Sequence, residues 1–293
     1  MSQVWLVTGS SSGLGRVIVE AALAAGHRVI ATARDPRALA ALVEQHGEQR
    51  LRAVPLDVTD ERAAHDAVRT ATEAFGRLDV VVNNAGYGHV CAFEETAVDD
   101  FRAQIDTNFY GVVNVTRAAL PVLRAQRSGH VFQISSVGGR LGTPGLSAYQ
   151  AAKWAVGGFS EVLAREVAPF GVKVSVIEPG GMRTNWGVRA RGSAHRPMHD
   201  YEPSVGALID MLTPYVGNET SDPAKVAQVI VQLAAHDALP LHLLMGSDAV
   251  HYAGEADAAR ATEGARWRAV SESTDYAHGG PLPAFPAAST KDD

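Results

Sequence analysis

The chain has 293 residues, 46% hydrophobic and 20% charged, enough for one large α/β domain or two small ones with a full core. A net charge of −6 argues against a nucleic-acid partner, which needs a clustered basic surface, while leaving room for a locally basic pocket. The one cysteine, Cys91, excludes an intrachain disulfide, and no apolar run nears the roughly 18–20 residues of a membrane span.

Val4-Trp5-Leu6-Val7 is a short apolar run that stops at Gly9, the pattern of a buried strand. It begins almost at once and lacks a charged leader, so a soluble cytoplasmic protein is expected. A helix follows from Leu14 to Ala25, ended by Gly26. Next come a strand over 28–32, a helix over 36–46 and a strand over 51–56 leading to Asp57. Thr59 or Asp60 caps a helix that runs to Phe75, and a buried strand over 79–82 ends at Asn83-Asn84-Ala85-Gly86. One long helix is expected over 100–126, kinked at Pro121. A strand over 130–134 ends at Ser135-Ser136, a helix covers 148–168, and a strand over 172–177 ends at Pro179-Gly180. Beyond Thr184, the Gly-, Arg-, His- and Pro-rich stretch 185–203 reads as a long loop. Short helices over 205–212 and 223–236, a strand over 241–244 and a helix over 248–270 complete the chain. Residues 271–293 read as a flexible or surface-lying tail.

Short apolar strands that alternate with helices predict a doubly wound parallel sheet of Rossmann type, an α/β fold in a single domain over 1–270. In such a sheet the ligand lies beyond the carboxyl ends of the strands. The polar and glycine clusters fall at those ends: 9–15, Arg34, Asp57, 83–86, 135–136 and 179–184. A glycine turn between the first strand and helix lets main-chain N–H groups and the helix dipole meet a pyrophosphate. Gly9 permits the turn, Gly13 the close approach, and Gly15 the packing of helix on strand.

Tyr149 precedes Lys153 by four positions, so on a helix both share one face. An unperturbed phenol titrates near 10. A unit charge at about 4–5 Å and an effective dielectric near 20 is worth roughly 3–4 kcal/mol, so Lys153 is expected to lower the phenol by about 2–3 pKa units. That would make Tyr149 a proton donor or acceptor near neutral pH.

Together, Thr8-Gly9-Ser10-Ser11-Ser12-Gly13-Leu14-Gly15, Asp57, Asn83-Asn84-Ala85-Gly86, Asn108, Ser136, Tyr149-x-x-x-Lys153 and Pro179-Gly180-x-x-x-Thr184 resemble the short-chain dehydrogenase/reductase family. The resemblance covers 4–184, and within the family it is to the carbonyl reductase and 17-beta-hydroxysteroid dehydrogenase-like branch. It implies a nicotinamide dinucleotide held by Gly9, Ser11, Ser12, Gly13, Leu14 and Gly15. Asp57 and Val58 would contact adenine, and Asn83, Ala85 and Gly86 would line the adenosine side. Pro179, Gly180 and Met182 would lie along the coenzyme, and Thr184 would reach the nicotinamide carboxamide. Tyr149 would be the acid/base, with Lys153 also holding the nicotinamide ribose. Ser136, thirteen residues before Tyr149, would anchor the carbonyl, and Asn108 would bind a water linking Lys153 to solvent. Read alone, Asn83 has the alternative of a sheet-stabilising amide, and Asp57 that of a strand end.

Ala33 stands where NAD-binding relatives place an aspartate, and Arg34 follows with a fork suited to phosphate. NADP(H) is therefore the expected coenzyme, with NAD(H) not excluded and Asp35 as a complication. The expected reaction interconverts a small carbonyl compound and its alcohol. The alternatives are an NAD-dependent alcohol dehydrogenase and an NADPH-binding sensor without catalysis. Residues 185–220 would form a substrate lid, with Trp186, Met198, Tyr201, Leu208 and Met211 as pocket walls or plain packing. The resemblance also implies a homodimer or homotetramer paired through the helices near 100–126 and 148–168. His195 and His199 are four apart, but Pro197 between them and the lack of a third ligand point away from a metal. Cys91 is either a cleft residue or a small packing residue.

Overall fold

The computed structural model describes residues 2–276 and 282–287. Seven strands form one parallel sheet in the order β3-β2-β1-β4-β5-β6-β7. They are β1 (Val4–Val7), β2 (Arg28–Ala33), β3 (Leu51–Pro55), β4 (Val80–Asn83), β5 (Gly129–Ile134), β6 (Val172–Pro179) and β7 (His242–Met245). Among the described residues ten α-helices connect and flank them: α1 (Gly13–Ala24), α2 (Ala40–His46), α3 (Glu61–Phe75), α4 (Val98–Ile105), α5 (Gly111–Gln126), α6 (Ser147–Val167), α7 (Asn185–Gly192), α8 (Ala207–Tyr215), α9 (Pro223–Leu233) and α10 (Ser247–Glu272).

All four residues of β1 are fully buried, as a central parallel strand covered on both faces requires. On one face α1 and α9 pack Ile18, Leu23, Val226 and Ile230 against Trp5 and Val7. On the other, α3, α5 and α6 bury Val68, Val115, Leu123 and Leu163 against Leu6 and Val81. Strand order reverses between β1 and β4, and the crevice outside that point is where such sheets take ligands.

Two expectations for the helices need correction. The single helix predicted over 100–126 is α4 and α5 joined by one wide π turn, Asp106–Tyr110. The side-chain amide of Asn108 donates to the Gln104 carbonyl, four residues back, at 2.8 Å, and so competes for the acceptor an α-helical N–H would use. Pro121 lies within α5, which runs on past it. The loop predicted over 185–203 instead opens with α7, because Thr184 caps it by accepting from the Trp186 N–H at 3.3 Å. Asp60, not Thr59, caps α3.

The stretch 185–220 packs on residues near 90 and 146 in an apolar cluster of its own. Val90, Ala92, Ala190, Val205 and Leu208 are buried together, with Trp186, Leu146 and Tyr201 packed around them. The expected tail begins later than Ser271, since α10 runs to Glu272. Residues 282–287 lie along α10, where Phe285 meets the Trp267 ring at 5.6 Å. The rest of the tail expectation, 277–281 and 288–293, falls outside the described residues. No helix among the described residues is long and apolar enough to cross a membrane.

Candidate active site

The glycine turn after β1 is built by its neighbours. Gly9 has φ +66, and a Cβ there would sit 2.9 Å from the Ala85 Cα. A Cβ on Gly15 would lie 2.4 Å from both the Gly9 oxygen and the Asn84 Nδ2, so helix and turn touch backbone to backbone. Gly13, with φ +58, has only the Thr184 Cβ within 4 Å of such an atom, and thus borders open space. Ser12 precedes α1 in an extended conformation and lends no side-chain oxygen to the helix. The first-turn N–H groups are left to bind an anion, helped by the helix dipole. Ser11 is exposed beside them, while the Leu14 side chain lies in the core, leaving only its main chain for a ligand. A left-handed glycine beside an uncapped helix N-terminus fits a dinucleotide pyrophosphate.

Two residues outside the expected set hold this turn. Asn84 donates to the Thr8 and Gly9 carbonyls at 2.9 and 3.3 Å. The Thr8 hydroxyl accepts from the Asn84 and Ala85 N–H groups at 2.9 and 3.0 Å. The doubled asparagine after β4 was the available signal. The Asn83 side chain is buried, and its amide donates to Thr116 of α5 at 2.9 Å and to Gln133 of β5 at 2.8 Å, tying β4 to both.

At the end where adenosine is expected, Arg34 is exposed just beyond β2. The neighbouring Asp35 is engaged by Arg37 at 2.8 Å, and those hydrogen bonds hold its carboxyl below the usual range. Asp57 is exposed and accepts from the Thr59 N–H and hydroxyl at 3.0 and 2.8 Å. Val58 is packed against α5, where Gly111 leaves it room, and Asn114 takes its carbonyl at 3.0 Å. Pro179 ends β6 opposite Met245, Gly180 lies against the Asp248 carboxylate, and Met182 pairs with Ser221.

Tyr149 and Lys153 lie one turn apart on α6, and both are buried. The Lys153 ammonium stands 5.6 Å from the Tyr149 ring centroid and donates to the Ile134 carbonyl at 2.8 Å. Of the twin serines after β5, Ser135 donates to the Lys153 carbonyl at 3.2 Å, behind the helix. Ser136 faces the phenol and accepts from the Gly138 N–H at 3.0 Å. Gly86 completes the floor: a Cβ there would strike the Asn108 Oδ1 at 2.5 Å and reach the Lys153 Nζ at 3.5 Å.

The electrostatics differ from the expectation. Burial pushes the Tyr149 phenol up to about 12, only partly offset by the Ser136 hydroxyl. Burial also lowers Lys153 to about 8. Desolvation disfavours the charged form of both groups and is the largest influence on each. The Asn108 amide donates to the Tyr87 and Gln104 carbonyls at 2.8 Å each, and its oxygen accepts from the Tyr87 N–H at 3.2 Å. These bonds fix Tyr87 next to Gly88, whose backbone lies against the Tyr149 ring.

The Trp186 ring covers the phenol, centroid to centroid 5.1 Å. The stretch 185–220 is tied to the segment after β4 by Tyr201, which donates to Glu94 at 2.8 Å, and by the Met198 N–H, which donates to Glu95 at 3.1 Å. Cys91 is half-buried on that rim, its N–H bound to the Gly145 carbonyl at 2.9 Å. His195 and His199 are exposed, and no group of three metal-ligating side chains occurs among the described residues.

The short chain dehydrogenase family model matches residues 3–193. The chain is 51% identical over 273 residues to the oxidoreductase BOA17 of Botryotinia fuckeliana, covering 92% of this chain and 98% of that protein. It is 40% identical over 184 residues to the 3-ketodihydrosphingosine reductase of Bacteroides thetaiotaomicron, covering 63% of this chain and 65% of that one. Among solved structures, a short-chain dehydrogenase from Streptomyces avermitilis superposes with a TM-score of 0.84 at 42% identity, covering 94% of this chain and all of that one. A parallel sheet switching direction beside an anion-ready glycine turn, a buried tyrosine–lysine pair with its serine, and these likenesses meet in one conclusion: the chain is an oxidoreductase of the short-chain dehydrogenase/reductase family, whose members bind NAD(P)(H).

Proposed function

We propose that the protein reduces a ketone or aldehyde to its alcohol with NADPH, and runs the reverse reaction with NADP. The observation that carries this reading is the convergence of Tyr149, Lys153 and Ser136 on one buried spot beside Gly86, next to the glycine turn. Bound there, the reduced nicotinamide supplies the hydride. The chain must then give the substrate oxygen a proton. A phenol pushed up to about 12 stays protonated at neutral pH, which is the form an acid needs. Ser136 donates a hydrogen bond to the same oxygen and stabilises the charge that develops on it. The Lys153 ammonium, 5.6 Å from the ring, is the nearby cation that favours the phenolate left behind.

Arg34 supports NADPH as the coenzyme. It is exposed at the end of β2, no ion pair involves it among the described residues, and the adjacent Asp35 carboxylate is already held by Arg37. A planar guanidinium there suits a ribose 2′-phosphate. Over the phenol the lid offers Trp186, with Leu146, Val205 and Leu208 close by, so the body of the substrate is apolar. The relative named a 3-ketodihydrosphingosine reductase acts, by its name, on a keto group, in keeping with a ketone at Tyr149. Two copies pair through α5 and α6, whose shared groove carries Leu120, Phe159 and Leu163; light scattering that finds only monomers would contradict the pairing.

The test is coenzyme consumption with NADPH and NADH against a panel of apolar ketones, aryl aldehydes and sugars. The reading predicts NADPH oxidation with apolar ketones or aldehydes and little with sugars. NADH oxidation at equal or greater rate would overturn the coenzyme choice, and no oxidation of either coenzyme would overturn catalysis.

A further inference from the structure

One carboxylate outside the phenol site ties three parts of the molecule together. Asp248 stands in the first turn of α10. Its Oδ2 accepts from the Gly181 N–H at 2.7 Å and from the Tyr215 hydroxyl at 3.2 Å. Gly181 belongs to the segment after β6 that leads to Thr184, and Tyr215 is the last residue of the lid helix α8.

The surroundings are shaped for this carboxylate. A Cβ on Gly180 would fall 2.4 Å from Asp248 Oδ2, and one on Gly246 would fall 2.6 Å from its Oδ1. A Cβ on Gly181 would strike the Tyr215 hydroxyl. Three glycines thus make room for one acid and one phenol. Ser221 adds a main-chain knot, donating its N–H to the Gly181 carbonyl at 2.9 Å and accepting from the Arg183 N–H at 3.3 Å. Its hydroxyl and Asp248 Oδ1 are both buried and, among the described residues, lack a hydrogen-bond partner. Tyr215 behaves as a committed donor. Burial first, and then the Asp248 charge, push its phenol up to about 12. Beyond Tyr215 the chain turns under α7: a Cβ on Gly187 would meet the Glu219 Oε1 at 2.9 Å and Val216 at 3.5 Å. The foot of α8 therefore supports the helix that carries Trp186.

We propose that Asp248 is a positioning residue that latches the foot of the lid to the Gly180–Thr184 segment, so that lid closure and the shape of the coenzyme cleft depend on one carboxylate. The lid half stands without the proposed reaction. The coenzyme half rests on it.

Two near-isosteric variants separate the halves. Tyr215→Phe removes only the lid's hydroxyl, and Asp248→Asn removes the charge that both partners share. Trypsin cuts Arg189 and Arg191 of α7 only when that helix opens, and the assay needs neither coenzyme nor substrate. Loss of a charge-assisted hydrogen bond at a half-buried site should raise cleavage of Tyr215→Phe roughly tenfold, with circular dichroism unchanged and NADPH affinity within about twofold of the parent. Asp248→Asn should open the lid at least as much and weaken NADPH binding, read by fluorescence titration, by roughly fivefold or more. Unchanged cleavage in Tyr215→Phe overturns the lid half, and unchanged NADPH affinity in Asp248→Asn overturns the coenzyme half. A parent that binds no NADPH refutes the proposed function, while the cleavage result still decides the latch.

Discussion

Replacing Lys153 with methionine separates what the buried ammonium costs from what it does. Methionine keeps the length and apolar stem and removes the charge. Burial lowers Lys153 from the ordinary 10.5 to about 8. At about 1.4 kcal/mol per tenfold in proton affinity, the folded state carries a burden of about 3 kcal/mol when the lysine is charged. Below pH 8 folded and unfolded chains both hold the proton, and only the folded one bears the desolvation. Between pH 8 and 10.5 the folded lysine sheds its proton while the unfolded one keeps it. The unfolded state then binds more protons, so stability rises with pH across that window. The Lys153→Met variant has no group that titrates at this position. The parent's unfolding free energy, minus the variant's, should therefore climb by about 3 kcal/mol from pH 7 to pH 10.5. Tyr149 works oppositely, because its raised pKa makes stability fall between pH 10 and about 12, but up to pH 10.5 the folded phenol stays protonated in both proteins and its contribution cancels. The assay is urea unfolding of both proteins at steps of one pH unit. A difference that stays flat, or that falls with pH, would refute a desolvated ammonium at this position.

Arg34→Ala should weaken NADPH binding by about tenfold or more, the worth of a charge-assisted phosphate contact, and leave NADH binding within about twofold, measured by titration with each coenzyme. Gly9→Ala puts a Cβ at φ +66 and 2.9 Å from the Ala85 Cα, so thermal unfolding should show a loss of about 2 kcal/mol or more. His242 bridges Glu178 at 3.0 Å and Glu161 at 3.2 Å, and Glu178 is buried. His242→Ala leaves a buried Glu178 side-chain oxygen without its hydrogen-bond partner and should cost about 1–3 kcal/mol in urea unfolding.

Apolar strands ending at glycine or polar residues are visible in a linear chain because both faces of a parallel sheet are covered. The run Val4–Val7, its turn and α1 were legible for that reason. The meeting of 9–15, Gly86, Ser136 and the Tyr149–Lys153 pair followed from the rule that strand ends share one edge. Three features were not legible. The π turn at Asn108 comes from a side chain taking a main-chain acceptor, a contest that composition does not reveal. Helix α7 is written in poor helix formers, and the cap at Thr184 and contacts with α8 make it. The direction of the Tyr149 shift depended on burial, and spacing along a helix speaks of proximity without speaking of water.

The most direct measurement is of Tyr149→Phe, which removes one oxygen from a buried ring. Fluorescence titration should show NADPH binding at parental affinity, while carbonyl-dependent NADPH oxidation falls by about 10³-fold, within the range for loss of a general acid. Oxidation within tenfold of the parent, in a variant that still binds NADPH, would contradict the assignment of Tyr149 as the proton donor and with it the reaction proposed for this site.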